Sequence, residues 1–226
     1  MGDAVGQMLT SAVGIAISPL PLVAVILMLA TPKGRANGIA FAAGWTVAVA
    51  SVVTVVVLAG SGAGAAGGDG APASWTLWLK LAFGLVFLLL GLKQWRDRPP
   101  RGQEAPTPGW MKAVDTATPG KAAGLAAALV IANPKNLVLA VGGAVSIAGS
   151  TASAGGKAAA AAVMVLLASL CTVLPLGVYL LGGDRATTLL ADVKAWMATH
   201  NAAIMTTVLV LLGAKYVGDA MSGLAS

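Results

Sequence analysis

Long apolar stretches follow one another along the whole chain, separated by short polar ones. Windows of about 20 apolar residues are long enough to cross the ~30 Å hydrocarbon core of a membrane as helices. Six such windows are predicted at residues 4 to 31, 36 to 60, 74 to 95, 119 to 148, 157 to 182 and 198 to 220. The pattern therefore predicts an all-α polytopic membrane protein.

Composition supports this class. Hydrophobic residues make up 58% of the chain and charged residues only 10%, whereas an ordinary soluble domain has about 25% charged residues. A connector with four prolines, residues 96 to 118, divides the chain near its middle. We expect a unit at residues 1 to 95, a cytoplasmic connector, and a second unit at residues 119 to 226.

The distribution of Lys and Arg predicts the orientation. Most of these residues follow the first, third and fifth spans: Lys33, Arg35, Lys93, Arg96, Arg98, Arg101, Lys112, Lys121, Arg185 and Lys194. Cytoplasmic loops are enriched in such charges, so both termini are predicted to lie outside the cytoplasmic membrane. The net charge of +6 is explained by this topology and by contact with anionic lipid. It gives no reason to expect a nucleic-acid partner.

An internal repeat relates the two units. The segment 86 to 93 (VFLLLGLK) matches 208 to 215 (VLVLLGAK) at five of eight positions. Ser18-Pro19 in the first span likewise matches Asn133-Pro134 in the fourth. Two units of three spans each must have opposite membrane orientations, as in the inverted repeats of many secondary transporters.

Both matched dipeptides predict a broken helix. Ser and Asn are favoured as N-caps, and proline is favoured at the first helical position. Ser18-Pro19 and Asn133-Pro134 therefore each predict the start of a new helix inside a span, and Pro21 adds a second interruption to the first. A simple proline kink is the alternative.

Lys135 lies about midway along the fourth predicted span, and no Asp or Glu lies well inside any of the six. A buried ammonium is costly in hydrocarbon, so it needs backbone carbonyls, a water-filled cavity or a bound anion. Two helix N-termini at the same depth would add partial positive charge. We therefore expect an anionic group to bind here. The predicted substrate-binding residues are Ser18, Pro19, Pro21, Asn133, Pro134, Lys135 and Asn136.

Other chemistry is not indicated. No cluster of metal ligands, no catalytic triad and no phosphate-binding glycine loop is present in the sequence, and Cys171 has no partner for a disulfide or a Cys-x-x-Cys motif. We expect no enzyme activity, no metal and no cofactor.

The motifs resemble a known family. A proline break in the first span, a short turn with Lys33 and Arg35, and Asn133-Pro134-Lys135 in the fourth span are similar to the LysE superfamily of small exporters. The chain looks most like the GAP branch, the polar-lipid addressing proteins associated with sulfolipid or glycopeptidolipid delivery. The first break reads Ser-Pro-Leu-Pro, whereas amino-acid exporters have Pro-Gly-Pro. This departure argues against amino-acid substrates.

Three functions follow as hypotheses. The first is a secondary carrier or flippase for an anionic polar lipid or glycolipid, and the second is an exporter of amino acids or other small carboxylate solutes, zwitterionic or anionic. The third is a non-transporting scaffold for an envelope-lipid export complex. Membrane lipids are expected partners in each, and a homodimer or partner export proteins are compatible with all three. The amphipathic stretch 184 to 199 either lies along the membrane interface or begins the sixth helix.

Overall fold

A computed structural model describes residues 2–64, 74–98, 114 and 116–224. Within these residues the regular secondary structure is entirely helical. The helices are α1 (Gly2–Ala16), α2 (Pro19–Leu29), α3 (Gly34–Gly64), α4 (Ser74–Arg96), α5 (Pro119–Ala132), α6 (Pro134–Ala148), α7 (Ala154–Leu181) and α8 (Gly183–Leu224). Most of the predicted connector, residues 99–113 and 115, lies outside the described part, so the two-unit division remains a prediction.

Both predicted breaks are present. The axis of Met8–Ala16 differs by 43° from that of Pro19–Leu29, and the axis of Pro119–Ala132 differs by 74° from that of Pro134–Ala148. Proline has no N–H for the preceding turn and its ring clashes with that turn, so each helix ends just before the Ser-Pro or Asn-Pro pair. Residues 17 and 18 and Asn133 are not helical, so each bent pair is a broken helix and not a simple kink.

The structure supports the membrane assignment but not the full count of six spans. Among the described residues, three helices are long and apolar enough to cross a membrane, or up to five if each bent pair is one span. Helix α4, which corresponds to the third predicted span, is not among the three. The six-span topology therefore stays a prediction.

The last helix is longer than predicted. Helix α8 runs without interruption for 42 residues, or about 63 Å at 1.5 Å per residue. The amphipathic stretch 184 to 199 and the predicted span 198 to 220 both belong to it. The stretch 184 to 199 is therefore the beginning of the helix that contains the sixth predicted span.

Close helix packing holds the broken helices in place. Helix α1 packs on α6, α3 on α5 and α7, and α4 almost entirely on α8. Helix α3 approaches α5 so closely that a Cβ on Gly44 would lie 2.7 Å from the Cα of Ala123. The indole N–H of Trp45 donates to the Ala168 carbonyl over 3.1 Å, inside the core. The bent pairs are therefore tightly packed against unbroken helices.

Candidate functional site

The first break leaves a backbone carbonyl without a helical partner. At the end of α1 the Ser18 N–H donates to the Ile15 carbonyl over 3.0 Å, a tighter turn than the regular i to i−4 bond. The carbonyl of Gly14, four residues before Ser18, is therefore free to accept another donor. The C-terminal end of a helix also carries partial negative charge. This end of α1 is thus suited to a cation.

The second break positions that cation. Asn133 is the N-cap of α6, Pro134 is its first residue and Lys135 its second. The Asn133 side-chain oxygen accepts the Lys135 backbone N–H over 3.1 Å and that of Asn136 over 3.5 Å. This cap fixes the first turn of α6, from which the Lys135 side chain extends toward α1. Lys135 is 1% exposed.

The Lys135 ammonium is held by two neutral oxygen atoms. Its Nζ donates to the Gly14 carbonyl over 2.8 Å and to Ser18 Oγ over 2.7 Å. No Asp or Glu among the described residues forms an ion pair with it, whereas Lys215 and Asp219 form one elsewhere in the described part. The positive charge is therefore buried and hydrogen-bonded but not neutralised. A backbone carbonyl was one of the three kinds of partner expected for Lys135 from the sequence, and the Gly14 carbonyl is such a partner.

Ser18 links Lys135 to Asn136. An ammonium can only donate, so Ser18 Oγ accepts from Lys135 and gives its own proton to Asn136 Oδ1 over 2.7 Å. This chain of bonds fixes the orientation of the Asn136 amide. Its Nδ2 is buried and has no hydrogen-bond partner. The cluster of Ser18, Lys135 and Asn136, called the break cluster below, therefore contains more donors than acceptors.

Few backbone N–H groups at the two helix starts remain free to bind a ligand. In α6 the first two N–H groups after Pro134 are taken by Asn133. In α2, Ser18 is the N-cap but makes no side-chain cap bond, because its hydroxyl serves Lys135 and Asn136. Pro19 and Pro21 have no N–H, so Leu20 alone has a free one within the first three residues of α2. Apart from the Leu20 N–H, the unused donors of the site belong to the Lys135 and Asn136 side chains.

Hydrogen bonds between side chains join three of the seven predicted residues, those of the break cluster. Asn133, Pro19 and Pro134 shape the two breaks, and Pro21 is buried within α2. Sequence analysis missed Gly14, whose carbonyl binds Lys135. The signal available was its position one turn before Ser18-Pro19, where a helix ending at the proline leaves carbonyls unpaired.

Two cavities lie elsewhere. One is lined by Thr10, Ser11, Lys215, Tyr216 and Asp219. The other, of about 150 Å³, is lined by Val5, Met8, Ile147, Ser150, Ala152, Gly156 and Ala160. Lys135 lines neither of these two, and Ser18, Lys135 and Asn136 are each 1% exposed, so the break cluster is enclosed in this conformation. Within the described part of the chain, no group of three or more His, Cys, Asp or Glu side chains is placed to hold a metal ion.

Comparison with known proteins identifies the family. The family model described as Sap, sulfolipid-1-addressing protein, matches residues 8–222. The match includes both breaks, the break cluster and helices α2 to α7, with most of α1 and α8. No curated protein and no solved structure matches the chain. The chain belongs to the sulfolipid-1-addressing protein family, as its resemblance to lipid-addressing proteins predicted.

Proposed function

We propose that the protein is a carrier or flippase that moves a lipid with an anionic head group across or out of the cytoplasmic membrane. The family is described by sulfolipid addressing, and a sulfolipid head group supplies negative charge and acceptor oxygens. The observation that carries the proposal is the excess of donors around one buried, uncompensated ammonium.

The chemistry of the break cluster favours such a ligand. Lys135 Nζ has two oxygen partners for its three N–H bonds, and Asn136 Nδ2 has none. Leaving a buried donor unpaired costs about 1–3 kcal/mol, and more for a charged group. An anionic head group would accept these donors and compensate the charge. Because the cluster is enclosed, the ligand enters only when the helices around the breaks separate.

Packing between α4 and α8 supports the inverted repeat that this movement requires. In the matched segments, Gly91 corresponds to Gly213 and Leu88 to Val210. A Cβ on Gly91 would lie 3.2 Å from the Val210 side chain, and a Cβ on Gly213 would lie 2.7 Å from the Leu88 side chain. The Gly91–Val210 contact in one half thus matches the Gly213–Leu88 contact in the other, because both pairs of residues occupy matched positions. Such reciprocity is expected across a two-fold axis.

The same correspondence relates other helix pairs. In the repeat, α1 matches α5 and α3 matches α7. The packing of α3 on α5 therefore matches that of α7 on α1, and α3 and α7 pack on each other. We propose six spans with both termini outside, in which the halves rock about α3–α7 and α4–α8 and expose the break cluster to one side at a time. Exchange of the Lys135 proton for the substrate would couple this cycle to the proton gradient.

Two other functions have specific support. An exporter of small carboxylates would use the same cationic cluster, although the Ser-Pro-Leu-Pro break departs from the amino-acid exporters. A scaffold would need no access to Lys135, and Lys135 is only 1% exposed. In that case the ammonium would serve only to join the two breaks.

Transport in proteoliposomes tests the proposal. We expect the unmodified protein to move a fluorescent sulfated glycolipid between leaflets, and Lys135→Met to lose this activity because the head group loses its cation. Lys157→Met is the matched control, since Lys157 Nζ also donates to a carbonyl near a helix end, that of Ala148, over 2.6 Å. Full activity of Lys135→Met would contradict the proposal. Transport of a small carboxylate but not of the glycolipid would favour the exporter, and transport of neither would favour the scaffold.

A further inference from the structure

The break cluster lies at one end of a continuous seam between α1 and α6. Ser18 contacts Lys135 and Asn136 at this end. One turn toward the N-terminus of α1, a Cβ on Gly14 would lie 2.9 Å from Leu139 Cδ1. The next turn brings Ser11 to Gly143, where an added Cβ would lie 2.9 Å from Ser11 Cβ. The seam is thus closed by direct contact at two successive levels.

The apolar cavity opens at the other end of this seam. Val5 and Met8 of α1 and Ile147 of α6 line it, together with the beginning of α7. Ile147 is twelve residues after Lys135, which corresponds to about 18 Å along α6. The cavity and the break cluster therefore lie on the same helix pair, one apolar and the other cationic.

The size and lining of the cavity suit a hydrocarbon segment. Its volume is about 150 Å³, and an apolar cavity of about that volume can bind a molecule such as benzene. Its wall is almost entirely apolar, with Ser150 as the one hydroxyl among the residues that line it. Val5 is 45% exposed, so the cavity opens to the surface of the protein, at the outer end of the first span in the proposed topology.

We propose that one lipid molecule lies along the α1–α6 seam, with its head group at the break cluster and the end of an acyl chain in the cavity lined by Val5, Met8 and Ile147. The lipid occupies this position only after α1 and α6 part at Ser11–Gly143. This inference rests on the proposed lipid-carrier function and adds the route and the acyl-chain subsite.

A reversible cross-link tests the opening of the seam. In a Cys171→Ala background, Ser11→Cys with Gly143→Cys places two thiols across the seam. Disulfides need a Cβ–Cβ distance of about 3.5–4.5 Å, so an adjustment of about 1 Å brings the two Cβ atoms into range. The flexible Met164 side chain, whose Cε would lie 2.5 Å from the added Cβ, must also move. Gly91→Cys with Leu209→Cys is the control, because a Cβ on Gly91 would lie 3.4 Å from Leu209 Cβ, in the α4–α8 contact about which the halves are proposed to rock.

We expect oxidation to abolish glycolipid transport by the seam variant, reduction to restore it, and the control variant to transport in both states. Transport by the oxidised seam variant at the rate of its reduced form would overturn the inference and leave the carrier function standing. Absence of transport by the unmodified protein would overturn both.

A second pair of variants tests the acyl-chain subsite without a cross-link. Ala160→Phe fills the cavity, whereas Ala159→Phe adds the same ring to the neighbouring exposed position of α7. We expect Ala160→Phe to weaken binding of the long-chain glycolipid but not of its water-soluble head group, and Ala159→Phe to change neither. Unchanged binding of the long-chain lipid by Ala160→Phe would overturn the assignment of the cavity.

Discussion

The two helix breaks have the same sequence plan but distribute their polar groups differently. At the second break Asn133 caps α6, taking the N–H groups of Lys135 and Asn136. At the first break Ser18 caps nothing, and its hydroxyl bonds the side chains of the other break. The Ser18 hydroxyl is available for these bonds because Pro19 and Pro21 remove two backbone donors from the start of α2. One break is thus satisfied locally, while the other contributes its hydroxyl to the shared cluster.

The comparison predicts that Ser18→Ala acts through Lys135, and this is the largest expected effect on stability. The substitution removes an acceptor from a buried ammonium, and hydrogen bonds to charged groups contribute about 1.5–3 kcal/mol. We expect the free energy of unfolding in detergent to fall by about that amount. In Lys135→Met the same Ser18→Ala substitution should cost much less. Equal costs in both backgrounds, measured by a double-mutant cycle, would show that the two residues are not coupled.

Asn133→Ala should have a smaller effect that does not depend on the first break. Loss of an N-cap costs about 1 kcal/mol, and the N–H groups of Lys135 and Asn136 would lose their acceptor. We expect Asn133→Ser to retain most of the stability, since serine also caps helices. A thermal unfolding series of the three proteins measures this. An Asn133→Ala cost that disappears in Ser18→Ala would contradict the local role of this cap.

Pro21→Ala should have the smallest effect. The substitution restores a donor to the first turn of α2 and removes the restriction that proline places on the unfolded chain, a contribution of about 0.4–1 kcal/mol. The new N–H would compete with the Lys135 ammonium for the oxygen of the Ser18 hydroxyl. We therefore expect slightly lower stability together with weaker lipid binding. A stability loss as large as that of Ser18→Ala would contradict this ranking.

The breaks and the buried lysine were predictable because proline and charge act locally. A capping residue directly before proline favours the start of a new helix, and an ammonium far from both span ends must be buried. The partner of that ammonium was not predictable, because the Gly14 carbonyl becomes available only when α1 ends in a tighter turn and packs against α6. The role of the Ser18 hydroxyl was missed for a related reason. A capping residue can bond to another segment instead of its own helix only when the fold brings that segment's polar groups within reach.

The length of α8 shows a different limit. The stretch 184 to 199 is amphipathic and the predicted span 198 to 220 is mostly apolar, so the pattern changes within the helix. Helical periodicity predicts which face is buried but not whether two consecutive helical segments join. Continuity depends on the residues between them, His200 and Asn201, neither of which breaks a helix.

The most direct test of the account is lipid binding by Asn136→Asp, with Asn136→Leu as a matched neutral control, measured by native mass spectrometry alongside thermal unfolding. An aspartate beside Lys135 would compensate its charge from within the protein. We predict that Asn136→Asp is at least as stable as the unmodified protein but no longer retains an anionic glycolipid. Undiminished retention of that lipid by a stable Asn136→Asp protein would contradict the claim that the buried charge of Lys135 binds the head group.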